Sequence, residues 1–196
     1  MNTTSGEPTA EQLTAYREIL TVWHYAHHFT GIVEALGRRI PTSKLWGNRY
    51  KFAREAMTLA EFVKLSTNIT DARLGNDPPD GWVRLTTGEE LAVEVTEVLE
   101  FGRKRGDEYR ENQMAAVDHV TDEELDARIQ SIEPQLEKAI ESKVGKYESN
   151  PTLLIYLNIV DHERAEKEVE AAIDRQKAEH KGSFADIHVI WKAKLY

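Results

Sequence analysis

The sequence predicts an α/β fold in which a central mixed sheet is flanked by helices. Three observations support this prediction. Apolar residues recur at helical spacing in the first third of the chain, two β-rich runs meet at a glycine turn near its middle, and a nearly continuous apolar run, PTLLIYLNIV, follows later. Helical periodicity that alternates with strand patterns is typical of helices packed on a sheet.

Two helices are predicted at the start of the chain. Residues 11 to 36 place apolar side chains such as Leu13 and Val33 at helical spacing. Gly37 is the predicted stop, because glycine commonly ends a helix. Residues 50 to 65 repeat the same pattern and form the second predicted helix.

Strands are predicted in the middle of the chain. A weak strand pattern covers residues 66 to 74 and ends at the break Gly75-Asn76-Asp77-Pro78-Pro79. Two β-rich runs, residues 81 to 87 and 90 to 99, then flank the turn Thr87-Gly88-Glu89. This arrangement predicts a β-hairpin.

The second half of the chain alternates charged and apolar segments. Residues 107 to 126 are polar and predict a partly helical insertion or lid, and residues 131 to 147 predict a helix. Residues 151 to 160 are apolar enough for a fully buried central strand. A charged helix over residues 162 to 179 and a last strand over residues 184 to 196 complete the prediction.

Composition limits the classes of function. The chain has 196 residues, which suits one domain with an appendage, and it has no cysteine for a disulfide or a thiolate metal site. The polar N-terminus does not resemble a signal peptide, and no apolar run reaches membrane-spanning length, so we expect a cytoplasmic protein with no membrane partner. Nucleotide-driven and serine-nucleophile enzymes are not expected, because phosphate-cradling glycine loops and a nucleophile elbow are absent.

The formal net charge of −9 argues against an extended nucleic-acid surface, which depends on Lys and Arg to neutralise phosphates. Local basic groups remain, among them Arg38-Arg39 and the run from Arg103 to Arg105. The net charge is therefore compatible with a nucleic-acid site that is confined to such local basic groups.

Two carboxylates are placed where they could do chemistry. Asp80 opens the first strand of the hairpin, and Glu94 lies in the middle of the second, on the strand face that also carries Ala92 and Thr96. A carboxylate among apolar residues is costly to bury unless it is paired or binds a cation. We expect Asp80 and Glu94 to converge on one divalent metal. For Asp80 taken alone, a turn-forming role remains an alternative.

Pro79-Asp80 and Glu94-Val95-Thr96 resemble the motif of the PD-(D/E)XK nuclease superfamily, which has the restriction-endonuclease-like fold. In that motif an aspartate opens one strand, and an acid, any residue and a lysine lie on the next. The resemblance covers about residues 50 to 160 and departs at Thr96, which stands where the family has lysine.

The resemblance implies a particular architecture. It predicts a core of order α-β-β-β-α-β within a nuclease domain of residues 49 to 196, and it leaves residues 1 to 48 as an N-terminal helical extension. This extension is expected to serve in substrate contact or in a homodimer formed through the N-terminal helix.

The resemblance also implies a function. The chain is expected to be a metal-dependent nuclease that hydrolyses phosphodiester bonds with Mg²⁺, or with Mn²⁺ in its place. DNA is expected rather than RNA, in defence, repair or mobile-element biology. The implied metal ligands are Asp80, Glu94 and the carbonyl of Val95, and the hydroxyl of Thr96 is expected to add a hydrogen bond at the site.

A substitute for the missing lysine is predicted on the helix of residues 131 to 147. Lys143 lies within about 60° of Ile140 on the apolar stripe of that helix. Some members of the superfamily carry the lysine on this helix, so we expect Lys143 to orient the water or hold the phosphate. A lysine that snorkels over apolar surface is the alternative.

An additional acid on the helix of residues 50 to 65 is also expected, since many relatives carry one. Glu61 is preferred to Glu55 because it lies closer to the first strand. A solvated helix acid is the alternative for either residue.

Two other functions remain open at this stage. The acidic balance and Thr96 both favour a catalytically inactive nuclease-fold protein that acts as a binding module for protein or nucleic acid. His24 and His28, four residues apart on the first predicted helix, have the spacing of a transition-metal site, although packing histidines are the alternative.

Overall fold

The computed structural model describes residues 6–76, 78–99, 121–148, 150–159 and 166–196. Most of the predicted insertion over residues 107 to 126 and the whole basic run from Arg103 to Arg105 lie outside these ranges. The chain forms two compact units, Met1–Val93 (unit 1) and Glu94–Tyr196 (unit 2). The predicted domain boundary between residues 48 and 49 stays a prediction.

Unit 1 combines helices with an antiparallel sheet. Its elements are α1 (Ala10–Leu20), β1 (His24–Tyr25), α2 (Ala26–Gly37), a 3-10 helix (Asn48–Tyr50), α3 (Lys51–Leu65), β2 (Ile69–Leu74), β3 (Gly81–Leu85) and the first part of β4 (Glu90–Leu99). The strands lie in the order β1-β2-β3-β4, and each neighbouring pair is antiparallel.

The predicted single helix over residues 11 to 36 is wrong, because the chain leaves the helix between α1 and α2. There the Trp23 ring stacks under two guanidinium groups, with the Arg84 Cζ atom 4.3 Å and the Arg73 Cζ atom 5.1 Å from its centroid. His24 and Tyr25 pair with β2 as the short edge strand β1. Cation–π contacts and strand pairing thus outweigh the local helical periodicity.

The second predicted helix and the hairpin are confirmed. The helix α3 spans Lys51–Leu65 and buries its apolar face, which includes Leu59. The hairpin turns at Gly88, whose φ of +87° is accessible to glycine at little steric cost. Leu59 packs closely on Gly81 at the start of β3, since a Cβ atom on Gly81 would lie 2.6 Å from its Cδ2 atom.

Unit 2 is a mixed sheet with helices. It contains the remaining part of β4, followed by α4 (Asp122–Gln130), α5 (Ile132–Glu141), β5 (Thr152–Asn158), α6 (Glu166–Glu179), β6 (Ile187–Trp191) and β7 (Lys194–Leu195). The strand order is β4-β5-β6-β7. β5 and β6 are parallel, whereas β6 and β7 are antiparallel.

The core of unit 2 lies between its helices and the buried strand. Leu136 and Ile140 of α5, Ile155 of β5 and Ile173 of α6 belong to one apolar cluster. Burying each such side chain contributes about 1.5 to 3 kcal/mol. The predicted central strand over residues 151 to 160 is therefore confirmed, with Thr152–Asn158 as its bounds.

Two predicted elements of unit 2 have different bounds. The helix expected over residues 131 to 147 ends at Glu141, and Val144, which lies within the predicted range, is exposed. The final predicted strand is two strands, because Lys192 and Ala193 adopt positive φ angles of 50° and 55° and turn the chain between β6 and β7.

The α/β class is confirmed, since the chain combines helices with a mixed set of parallel and antiparallel strands. Within the described ranges, no helix is both long enough and apolar enough to cross a bilayer. The cytoplasmic location stays a prediction.

Candidate functional site

Asp80 lies in unit 1 at the point where the chain enters β3. It is only 6% exposed, and its carbonyl accepts a 2.9 Å hydrogen bond from the amide of Gly75. A Cβ atom on Gly75 would lie 1.8 Å from the Pro79 carbonyl oxygen. The end of β2 and the Pro79-Asp80 segment can therefore approach this closely only because residue 75 is glycine.

A lysine of α3 lies beside Asp80. The ammonium nitrogen of Lys51 is 2.8 Å from Glu55 Oε1 and 3.9 Å from Asp80 Oδ1. Lys51 and Glu55 are neighbours on α3, because residues four apart share one face of a helix. The Lys51 ammonium thus lies within ion-pair distance of two carboxylates of unit 1, those of Glu55 and Asp80.

Glu55 rather than Glu61 lines the same cleft as Asp80. At 100° per residue, Glu61 lies about 120° away from Glu55 around the helix axis. The prediction preferred Glu61 for its closeness to the first strand along the chain, but the position around the helix decides which acid reaches Asp80. A role for Glu61 stays a prediction.

The cleft beside Asp80 has a volume of about 230 Å³, and sequence reasoning missed most of its residues. Arg17 comes from α1, and Asn48 and Arg49 come from the 3-10 helix. No local pattern marks Arg17 or Arg49 as neighbours of Asp80. The four-residue spacing of Lys51 and Glu55 was the one available signal.

Glu94 lies in unit 2, where β4 continues. Glu94 is 4% exposed, and the Lys143 ammonium donates a 2.6 Å hydrogen bond to its Oε1 atom. The Lys143 side chain is 24% exposed. The second carboxylate oxygen, Oε2, is buried and has no hydrogen-bond partner among the described residues.

The end of α5 positions Lys143. Leu136 and Ile140 anchor the helix in the core of unit 2, and the Lys143 amide donates to the Ile140 carbonyl at 2.9 Å in the turn that follows. The structure thus brings together two residues that the sequence singled out, Glu94 and Lys143. It does so from a turn after Glu141 rather than from the predicted longer helix.

The other predicted residues of β4 follow Glu94 directly. Val95 and Thr96 are half-buried, and Thr96 shares a strand face with Glu94 because side chains alternate along a strand. A metal contact from the Val95 carbonyl and a catalytic role for the Thr96 hydroxyl stay predictions.

The histidines do not form the predicted helical pair. His24 lies in β1 and its Nε2 atom is 2.8 Å from the Ile19 carbonyl oxygen. His28 lies in α2, where its ring is tilted by 51° against that of His27 with centroids 4.0 Å apart. Across the parts of the chain that the structure describes, no three His, Asp or Glu side chains group in a way that could hold a metal ion. The metal site predicted for His24 and His28 therefore loses its geometric basis.

The chemistry of Glu94 favours a cation. A buried carboxylate is stable only when its oxygens are paired, and Lys143 satisfies one of them. The orphaned Oε2 atom is the kind of acceptor that a hard divalent cation binds. Mg²⁺ and Mn²⁺ both take carboxylate oxygens, and a bound ion at Glu94 stays a prediction.

No family model, curated protein or solved structure matches this chain.

Proposed function

We propose that this chain is a metal-dependent nuclease that cleaves phosphodiester bonds of nucleic acid. The observation that supports this function most strongly is the 2.6 Å hydrogen bond between Lys143 and Glu94. The sequence alone suggested that Lys143 replaces the lysine missing at Thr96, and this contact gives Lys143 a position suited to that role. DNA is the proposed substrate, because the superfamily that the motif resembles acts most often on DNA.

Asp80 and Glu94 are proposed to hold one Mg²⁺ or Mn²⁺ ion, with the Val95 carbonyl as a further oxygen. Gly81 and Val93 are register partners across β3 and β4. Asp80 directly precedes Gly81, and Glu94 directly follows Val93. Along the chain, the two acids are thus the covalent neighbours of the two residues of one register pair.

We assign the finer fold as a restriction-endonuclease-like core. The elements α3, β2, β3, β4, α5 and β5 follow one another in the order α-β-β-β-α-β that the resemblance implies, with α4 as an additional helix before α5. The antiparallel run β2-β3-β4 carries both halves of the motif. This order supports the assignment independently of the two acids.

The side chains have separate roles in the proposed reaction. A bound divalent ion would activate a water molecule and stabilise charge on the phosphate. Asp80 and Glu94 would supply the carboxylates that hold it. Lys143 keeps one N–H on Glu94 Oε1 and has two further donors, which would orient the water or hold a phosphate oxygen.

The experiment compares cleavage of single- and double-stranded DNA and RNA in Mg²⁺, Mn²⁺ and EDTA. We expect cleavage of DNA that requires metal and falls at least a hundredfold in Asp80→Asn and in Glu94→Gln, as when a catalytic carboxylate is lost. Glu89→Gln is the matched control, because Glu89 is exposed in the hairpin turn. This control should cleave like the wild type.

Metal binding is measured separately by calorimetry with Mn²⁺. Asp80→Asn and Glu94→Gln should each weaken Mn²⁺ binding, whereas Glu89→Gln should not. Substrates that stay intact under every condition would instead favour a catalytically inactive nuclease-fold binding module. Equal cleavage by the wild type and both acid variants would reject the proposed site.

A further inference from the structure

The cleft beside Asp80 in unit 1 is rich in cations. Arg17, Arg49 and Lys51 line it together with the acids Glu55 and Asp80, in a volume of about 230 Å³. Cavities that hold drug-sized ligands are larger, about 300 to 1,000 Å³. The cleft is therefore suited to a small charged group rather than to a whole base.

The three cations differ in the partners that they contact within the protein. Lys51 is paired with Glu55 at 2.8 Å. Arg49 donates from its Nη2 atom to the Pro8 carbonyl at 2.8 Å, and its Nη1 atom lies 3.9 Å from Glu7 Oε1. Arg17 is exposed in the last turn of α1, and its guanidinium has no hydrogen bond or ion pair with any described residue. Arg17 thus adds a positive charge to the cleft that the described residues do not neutralise.

Charge is distributed unevenly along the chain in a way that favours this cleft. Residues 1 to 93 carry ten Lys and Arg against eleven Asp and Glu, whereas residues 94 to 196 carry fifteen against twenty-three. The net charge of −9 therefore comes almost entirely from the sequence of unit 2. A polyanion is repelled less by a nearly neutral unit, and local cations can then attract it.

Guanidinium groups match the geometry of phosphate. Their planar array of N–H donors makes two parallel hydrogen bonds to one phosphate, while lysine acts as a point charge. Arg17 and Arg49 can bind in this way. The Lys51 ammonium lies 2.8 Å from Glu55 Oε1 and 3.9 Å from Asp80 Oδ1, so its charge reduces the repulsion between a phosphate in the cleft and these two carboxylates.

We propose that this cleft binds a phosphate group of a nucleic-acid strand, with Arg17 and Arg49 as its ligands. The identity of the phosphate carrier rests on the proposed nuclease function. The phosphate lies beside Asp80, so the N-terminal helix α1 contributes directly to substrate binding. Arg17 is a binding residue here, and it has no part in bond cleavage.

The test measures binding in EDTA, so that no metal-dependent cleavage occurs. The probe is a single-stranded DNA oligonucleotide labelled at its 3′ end, with either a 5′-phosphate or a 5′-hydroxyl, followed by fluorescence anisotropy. We expect Arg17→Gln to weaken binding about tenfold, the effect of losing one charge-assisted hydrogen bond. The slope of log K against log salt should fall by about 0.7, as for one lost phosphate contact on a single strand.

A matched control separates the cleft from net charge. Arg38→Gln removes the same charge from another exposed arginine of unit 1, which lies 3.8 Å from Glu34. Arg38→Gln should bind like the wild type, and Arg17→Lys should recover part of the affinity. Thermal unfolding of all three variants should match that of the wild type, because the exposed Arg17 guanidinium makes no hydrogen bond or ion pair within the described ranges.

The two forms of the probe distinguish the source of the phosphate. A preference for the 5′-phosphate that disappears in Arg17→Gln assigns the cleft to a strand end, whereas an equal loss for both probes assigns it to an internal phosphate. Equal affinities of Arg17→Gln and Arg38→Gln, or no binding by the wild type at low salt, would overturn the proposal. Weaker binding of Arg17→Gln in a protein that never cleaves would reject the nuclease function and leave the phosphate site standing.

Discussion

The buried acids of the two units, Asp80 and Glu94, have different surroundings. In unit 1, Asp80 borders an open cleft, and its ion pair with Lys51 spans 3.9 Å to a lysine whose side chain is 54% exposed. In unit 2, Glu94 is held at 2.6 Å by the better shielded Lys143. An exposed pair contributes little to stability, whereas a buried pair is costly to break. Unit 2 thus offers a fixed carboxylate, and unit 1 offers an accessible, cation-lined surface.

The largest effect on this comparison of the two units is expected when one core leucine is removed from each of them. Leu136→Ala in α5 and Leu59→Ala in α3 should each lower the free energy of unfolding by about 2 to 5 kcal/mol, because each leaves a cavity under a helix that positions site residues. Hydrogen exchange resolved by peptide measures where protection is lost. If Leu136→Ala lowers protection equally in α3 and α5, the two units do not unfold separately.

The next largest effect is expected at Lys143. Lys143→Met leaves Glu94 buried without its ionic partner, which should lower the free energy of unfolding by about 3 kcal/mol in urea denaturation without metal. Lys138→Met is the control, since Lys138 is exposed on α5 and should change stability by less than about 0.5 kcal/mol. Equal stability of the two variants would show that the Lys143–Glu94 pair is not fixed as described.

A smaller effect is expected at Gly75 in unit 1. Gly75→Ala forces a Cβ atom against the Pro79 carbonyl, so the Pro79-Asp80 segment must move, at a cost of about 1 to 3 kcal/mol. Gly31→Ala in α2 is the control, because its Cβ atom would meet open space and alanine stabilises a helix by about 0.5 to 1 kcal/mol. Thermal unfolding and Mn²⁺ calorimetry should therefore separate the two variants: Gly75→Ala loses both stability and Mn²⁺ affinity, whereas Gly31→Ala keeps its Mn²⁺ affinity and loses no stability.

The smallest effect concerns the pH dependence of unit 2. Burial lowers the pKa of His188 below its ordinary value, although Asp186, with its Oδ2 atom 3.3 Å away, acts in the opposite direction. The folded state therefore binds this proton less readily than the unfolded state. Stability from neutral His188 is fully present above about pH 6.5 and decreases as the pH falls below that value.

His188→Gln should flatten this part of the stability profile in urea titrations between about pH 5 and pH 7. His27→Gln is the control, because it removes an exposed imidazole of unit 1. A profile for His188→Gln that keeps the full slope of the wild type would contradict the role assigned to burial.

Local sequence patterns were sufficient to predict those helices and strands whose packing in the fold agrees with their pattern. The hairpin of β3 and β4 combines β-rich runs with a glycine turn, and β5 is an apolar run long enough for one buried strand. The single helix expected over residues 11 to 36 failed because Trp23 is drawn to Arg73 and Arg84, which are far from it in the sequence. Periodicity contains no information about such distant partners.

At the candidate site, too, some residues could be predicted from the sequence and others could not. The types and spacing of Asp80, Glu94 and Lys143 were sufficient to mark them as unusual. The choice of Glu61 over Glu55 was made from distance along the chain, and the structure lines the cleft with Glu55 instead. Arg17 could not be found from the sequence, because only the packing of α1 brings it beside Asp80.

The sequence by itself determined the alternation of helices and strands, the acidic balance and the residues that we propose to hold a cation, since these follow from residue type and period along the chain. The tertiary structure decided which charges meet. It ended α5 at Glu141 so that Lys143 reaches Glu94, and it gathered Arg17 and Lys51 around one cleft. Charge pairing depends on distance in space, and chain packing rather than chain order sets that distance.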